Sequence, residues 1–132
     1  MTNSFGLLIV LGRILCGGYF IMSGVNHFKH LKMLTGYAHS KGVPMPREAV
    51  LVTGLMLVLG GLGIFFGVYV HFAILLLAVF LLAVSFKMHQ FWTIKDHMAR
   101  MPEEINFKKN LALLGAVLMF LAIPLPWVIT LF

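Results

Sequence analysis

Long apolar stretches fill most of this chain and constrain its fold more than any other feature. Four of them, at about residues 5–28, 49–67, 68–89 and 111–131, are long enough to cross a bilayer. A crossing takes about 20 residues of helix, and a single segment can satisfy its own backbone hydrogen bonds in lipid only as a helix. Of the 132 residues, 61% are hydrophobic and 11% are charged, whereas about a quarter are charged in soluble domains. The sequence therefore predicts one all-α domain, an integral membrane four-helix bundle.

The basic residues predict how the spans are oriented. Of the ten Lys and Arg residues, all but Arg13 fall in two polar loops, at about residues 29–47 and 87–110. Cytoplasmic loops carry an excess of Lys and Arg. Both loops are therefore expected in the cytoplasm, with both chain termini and the tight turn near Gly67 outside. The net charge of +6 then reflects orientation and contact with anionic lipids, and no nucleic-acid partner is expected.

The first polar loop predicts a short helix of its own. Leu31, Leu34, Tyr37 and Ala38 recur at helical spacing, and the lysines of the loop fall on other faces. This pattern is typical of an amphipathic helix that lies in the membrane interface. We expect such a helix between spans one and two, ending at Gly42.

Arg13 is the most costly residue in the chain, because it lies about eight residues inside span one. An arginine near the bilayer centre costs about 2.5 kcal/mol or more, and the four acidic residues are all expected at the cytoplasmic side. Its expected partners are carbonyls, hydroxyls, water, a lipid phosphate, or an anionic or quinone-like ligand. Two interpretations stay open, a ligand contact and a side chain that ties helices together or reaches the headgroups. Gly17 and Gly24 share its helical face, which predicts a packing seam or a narrow cavity.

A second polar group is expected at the cytoplasmic ends of the spans. His27 closes span one, His89 and Trp92 close span three, and Asn110 precedes span four. Together they would form a pocket suited to a quinone headgroup or to proton transfer. The alternative is that they cap helices and form an aromatic belt. With Arg13, these four residues make up the predicted ligand-binding set.

The remaining residues predict no catalytic or metal centre. There is no nucleophile and base pair, no phosphate loop and no pair of carboxylates, and Cys16 is the sole cysteine. The six histidines lack the close spacing of a metal site, and haem held by His27 and His89 is not expected. The chain is therefore not expected to be an enzyme on its own. The GxxxG of Gly63 and Gly67 predicts close helix packing or a homo-oligomer.

Three stretches resemble the DoxX family of small bacterial membrane proteins. They are GRILCGGYFIMSGVNHF at 12–28, KGVPMP at 41–46 with a later Gly60-Gly61-Leu62, and HQFWTIKDHMARMPEEINFKKNLALLGAVLM at 89–119. The family pattern carries over to Arg13, Gly24, His27, Phe91, Trp92, Asn106, Asn110 and Gly115. Relatives often have an acidic residue shortly before the double glycine. This chain has Met56-Leu57-Val58-Leu59 there, which leaves no carboxylate in that stretch to pair with Arg13.

The resemblance also implies a location and a function. It implies a four-helix domain in the bacterial cytoplasmic (inner) membrane. The family is named after a subunit of an archaeal thiosulfate:quinone oxidoreductase, and some members are associated with oxidative-stress assemblies. The expectation is a redox- or quinone-associated accessory subunit without its own redox centre, on whose basic loops a soluble redox enzyme docks. The alternatives are a non-enzymatic scaffold in the oxidative-stress response and a small-solute carrier, for which four spans leave little room.

Overall fold

The computed structural model describes residues 4–127, and within this range it contains helices and no strands. The five α-helices are α1 (Ser4–Lys29), α2 (Leu31–Ser40), α3 (Pro46–Phe66), α4 (Val70–Met88) and α5 (His97–Met119). Two short 3-10 helices cover Phe91–Thr93 and Phe120–Ala122.

Four of these helices, α1, α3, α4 and α5, are long and apolar enough to cross a membrane. The fifth, α2, has 10 residues and connects the first two long helices. Large apolar side chains such as Leu7, Leu15, Leu55 and Leu82 are exposed on the outer faces of the bundle, where lipid would cover them. The predicted all-α, four-helix membrane fold with a short helix between spans one and two is confirmed, and the chain is a multi-pass membrane protein.

The long helices pack in the order α1, α3, α4, α5, and α2 packs against α3. Consecutive long helices run in opposite directions, so α1 and α4 end where α3 and α5 begin. We call this the basic end, because it includes α2 and the two Lys- and Arg-rich loops, and we call the opposite end the turn end. The helices α1 and α5 do not pack along each other, so the bundle has a gap on one side.

Glycines bring α1 and α3 into backbone contact. A Cβ atom on Gly17 would lie 2.8 Å from the carbonyl oxygen of Gly61, and one on Gly24 would lie 2.7 Å from that of Gly54. The glycines of each helix are seven residues apart, two helical turns, so they share one face. Close contact of this kind is the main source of helix association in lipid. Gly63 packs in the same way against Ala73 of α4, so this glycine of the predicted oligomer motif is used within the chain.

The last long helix differs in its bounds from the predicted span at 111–131. It begins at His97 because Asp96 caps it, with the backbone N–H of Ala99 donating to Oδ2 at 3.2 Å. Asn110 therefore lies in the middle of α5 and not at its start. The helix ends at Met119, and residues 128–131 of the prediction lie outside the described range. The segment after the 3-10 helix returns to the core, where Trp127 is buried against Phe120.

Candidate functional site

A cavity of about 450 Å³ lies between the four long helices toward the basic end. This volume falls within the range of about 300–1,000 Å³ that small-molecule sites occupy. Both α1 and α5 line the cavity although they do not pack together, so it lies along the gap in the bundle. Its polar lining includes Asn26, His27, Thr53, His89 and Asn110, and its apolar lining includes Phe20, Leu57, Phe80, Leu81 and Leu113. The cavity therefore presents polar and apolar surface to one molecule.

Three of the five predicted ligand-binding residues, His27, His89 and Asn110, line this cavity, each from a different element. The other two, Arg13 and Trp92, do not line it. The structure thus brings together part of the predicted set and places the rest elsewhere.

Asn110 is a buried residue whose amide has no hydrogen-bonding partner among residues 4–127. The residue is 6% exposed, and its side chain makes no hydrogen bond to any residue between 4 and 127. A ligand that fills the cavity would remove this amide from water, and an amide then left without a hydrogen bond costs about 1–3 kcal/mol. Because Asn110 lines the cavity, this cost favours a ligand that offers a polar group at this position.

His27 is held against α3 by one ring nitrogen. Its Nδ1 lies 3.1 Å from the carbonyl oxygen of Val50 and 3.2 Å from Oγ1 of Thr53. The Thr53 hydroxyl donates to the carbonyl oxygen of Ala49 at 2.7 Å. The edge of the ring faces Phe80, with the centroids 6.0 Å apart. These contacts fix the orientation of the imidazole in the cavity wall.

His89 belongs to an ionic group that we call the Glu103 cluster, formed by Tyr37, Lys41, His89 and Glu103. Glu103 is 9% exposed. Its Oε1 accepts a 2.6 Å hydrogen bond from the Tyr37 hydroxyl, and its Oε2 lies 3.1 Å from Nδ1 of His89 and 3.3 Å from Nζ of Lys41. Burial and the bond to Glu103 raise the pKa of Tyr37. The cluster fastens α2 to α5 and orients His89 beside the cavity.

Sequence reasoning did not assign Tyr37, Lys41 or Glu103 to the site. The sequence pattern puts Tyr37 on the apolar stripe of α2 and Glu103 in a polar loop. One signal points to Glu103, which is among only four acidic residues in the chain and precedes an apolar segment. No sequence signal pairs it with Tyr37, 66 residues away.

Arg13 lies toward the turn end and ties α1 to α3. Its Nε donates to the carbonyl oxygen of Ile64 at 3.3 Å, and its Nη2 to that of Phe65 at 3.2 Å. Both carbonyls belong to the last turn of α3, where oxygens have no partner within the helix. A cation is also favoured at the negative end of the helix dipole. The guanidinium carbon lies 5.8 Å from the centre of the Trp127 ring, so Arg13, 6% exposed, also holds the segment after α5.

Trp92 lies outside the cavity at the basic end and is 49% exposed. Its ring packs against those of Phe86, Phe91 and Phe107, with centroids 5.3–6.3 Å apart. Half-exposed aromatic side chains near a span terminus are typical of a membrane interface.

Metal-ligating side chains do not gather in the described range. No group of three His, Cys, Asp or Glu residues there is placed to hold a metal ion. The site is therefore best described as a cavity with hydrogen-bonding groups.

Comparison with known families agrees with the fold. Residues 8–90 match the family model of DoxX. The chain belongs to the DoxX family. The matched segment holds Arg13, His27 and His89, whereas Trp92 and Asn110 follow it. No curated protein and no solved structure matches the chain.

Proposed function

We propose that this DoxX protein is an accessory membrane subunit that binds a lipid-soluble quinone in its cavity and has no redox centre of its own. We place it in the bacterial cytoplasmic membrane, with the basic end in the cytoplasm and both termini outside. The observation that carries the proposal is the buried Asn110 amide, which has no partner among the described residues and lines an otherwise largely apolar cavity.

The lining suits an amphipathic molecule with a small polar head. The quinone head carries oxygen atoms that accept hydrogen bonds, and the Asn110 amide is a donor that can meet one of them. Apolar side chains such as Leu57 and Leu81 would pack against the ring and the start of the tail. The tail would leave through the gap between α1 and α5, where it would reach lipid. A bound quinone supplies two-electron redox chemistry, and the protein holds and orients it.

The basic end suits a soluble redox enzyme as the partner. Nine of the ten Lys and Arg residues belong to the loops and helix segments of this end, the same end toward which the cavity lies. A partner with an acidic surface would be attracted there. The redox centre of that partner would then lie at the basic end, close to the cavity.

The proposal is tested by binding in nanodiscs made from a zwitterionic lipid. We expect the purified protein to bind decylubiquinone in a saturable titration, and we expect Asn110→Leu to weaken binding about tenfold, the effect of losing one hydrogen bond worth about 1.4 kcal/mol. The control is Asn106→Leu, the same change one helical turn away at a residue that does not line the cavity. A wild-type protein that binds no quinone would refute the proposal, as would equal weakening by both substitutions.

A further inference from the structure

We infer that the cavity binds the reduced, dihydroxy form of a quinone more tightly than the oxidised form. This inference rests on the proposed function and deepens it, because it names the redox state that the site selects. It is carried by the two histidines of the lining, whose contacts determine which ring nitrogen bears the hydrogen.

The contacts of His27 place its hydrogen on Nδ1. The nearest partner of this nitrogen is the carbonyl oxygen of Val50 at 3.1 Å, and a carbonyl can only accept. Thr53 cannot donate to His27, because its single hydroxyl hydrogen is directed to the carbonyl oxygen of Ala49 at 2.7 Å. Nδ1 is therefore the donor, and in the neutral ring Nε2 is an acceptor.

The contacts of His89 lead to the same tautomer. Its Nδ1 lies 3.1 Å from a Glu103 oxygen, and a carboxylate also only accepts. The negative charge of Glu103 is already balanced by Lys41, whose Nζ lies 3.3 Å from the same oxygen. Nδ1 of His89 is thus the donor to Glu103, and in the neutral ring its Nε2 is again an acceptor.

The other ionisable side chains that line the cavity make no hydrogen bond or ion pair with His27 or His89 within residues 4–127. Lys87 and Lys109 line the cavity, and no acidic side chain does. Tyr37 also lines it, and its hydroxyl hydrogen is donated to Glu103. Among the residues between 4 and 127, neither Nε2 atom has a hydrogen-bonding partner.

Two acceptor nitrogens distinguish the two forms of the ligand. A hydroxyl of the reduced form can donate to such an Nε2, whereas a carbonyl of the oxidised form would meet it acceptor to acceptor. Donors in the lining, the Asn110 amide and the lysines, do not discriminate, since both hydroxyl and carbonyl oxygens accept. One unmet hydrogen bond in a buried site corresponds to roughly 5- to 100-fold in affinity.

Selective binding of this kind would change the potential of the bound molecule. A tenfold preference for the reduced form raises the midpoint potential of a two-electron couple by about 30 mV. The site would therefore make the bound quinone a stronger oxidant than the same molecule free in the lipid.

The inference is tested by measuring the affinity for both forms of one compound. Decylubiquinone and its borohydride-reduced form are titrated anaerobically into the full-length protein in zwitterionic nanodiscs. We expect the reduced form to bind at least tenfold more tightly. We expect His27→Phe and His89→Phe each to diminish this ratio, and His39→Phe, a change on the exposed face of α2 outside the cavity, to leave it unchanged.

The outcomes separate this inference from the proposed function. Equal or tighter binding of the oxidised form overturns the inference and leaves the quinone site intact, whereas no binding of either form overturns both. A ratio unchanged in both cavity variants also overturns the inference. Thermal melting reports whether each variant is folded, and His27→Phe carries the test if loss of the Glu103 contact unfolds His89→Phe.

Discussion

Arg13, toward the turn end, and Asn110, toward the basic end, differ in how the bundle accommodates a polar side chain. Toward the turn end, α1 is in backbone contact with α3, and Arg13 donates to the unpaired carbonyls of the last turn of α3. Toward the basic end, α1 and α5 stay apart around a cavity, and the Asn110 amide is buried without a partner among the described residues. Arg13 thus stabilises the fold through its bonds to α3, whereas Asn110 keeps its hydrogen-bonding groups available to the cavity.

This contrast predicts which property each substitution changes. Changes near the turn end should alter the free energy of unfolding and leave ligand affinity unchanged. Changes in the cavity should alter affinity with little loss of stability.

The strongest test of the backbone contact between α1 and α3 is Gly17→Leu. A Cβ atom on Gly17 would lie 2.7 Å from the backbone nitrogen of Phe65 and 2.8 Å from its Cβ, so any side chain must push α1 away from α3. Overpacking of this kind costs about 1–3 kcal/mol and sometimes more, and we expect most of the monodisperse protein to be lost in size-exclusion chromatography. The matched control is Gly18→Leu, since nothing lies within 4 Å of a Cβ there. Equal recovery of the two variants would contradict the backbone contact.

Arg13→Met tests whether the buried arginine stabilises the fold or contacts a ligand. Two carbonyl oxygens of α3 lose their donor, so we expect the free energy of unfolding to fall by about 1–3 kcal/mol. Quinone affinity should not change, because Arg13 does not line the cavity. Melting and quinone titration in the same nanodiscs measure both effects, with Arg47→Met, an exposed arginine, as the control. A loss of affinity without a loss of stability would support the ligand contact that the sequence also allows.

Asn110→Leu should have the opposite effects. It replaces an unpaired buried amide with an apolar side chain of similar size, so we expect stability to rise by about 1 kcal/mol while quinone binding weakens. The ligand-free protein should therefore melt at a higher temperature than the wild type. A lower melting temperature would mean that Asn110, like Arg13, stabilises the fold. The contrast between these two residues would then be wrong.

Tyr37→Phe should have the smallest effect, and one that depends on pH. Loss of the hydrogen bond to Glu103 should cost about 0.5–1.5 kcal/mol at neutral pH. The pKa of Tyr37 is raised in the fold by burial and by Glu103, so the neutral hydroxyl is favoured in the folded state. Its contribution is complete below the ordinary tyrosine pKa of about 10 and decreases as the pH rises beyond it.

The measurement is the difference in unfolding free energy between the wild type and Tyr37→Phe from pH 7 to pH 11. We expect this difference to shrink above about pH 10. Tyr69→Phe serves as the control, because Tyr69 is 87% exposed and makes no hydrogen bond from its hydroxyl within the described range. A difference that grows with pH would contradict the assigned bond.

The sequence predicts most of the fold because lipid allows few structures. A segment that is apolar over some 20 residues must be helical there, and a three-residue joint between two such segments forces them to run in opposite directions. The start of α5 was missed, although Asp96 is a residue type that commonly caps helices. The first turns of α5 are polar, so a prediction from hydropathy alone starts the last span after the helix has begun.

The sequence predicts the site only in part, for a different reason. The depth of a residue in the membrane follows from its position along a predicted span. For this reason the sequence predicts that His27, His89 and Asn110 lie near one another. Which neighbouring helix a residue faces depends on how the helices pack, and the sequence does not specify this packing. Packing directs Arg13 to the end of α3 and leaves Trp92 outside the cavity. Glu103 joins its own helix to two other segments of the chain, α2 and the end of α4, a contact that no local pattern encodes.

The single carboxylate of Glu103 also has a consequence for natural variation. Tyr37, Lys41 and His89 share one acceptor group, so a change in any of them alters the electrostatic environment of the other two. Residues coupled in this way typically show interaction energies of about 0.5–3 kcal/mol in double-mutant cycles. We therefore expect epistasis among the three positions, such that a substitution tolerated at Lys41 alone becomes harmful once Tyr37 has also changed.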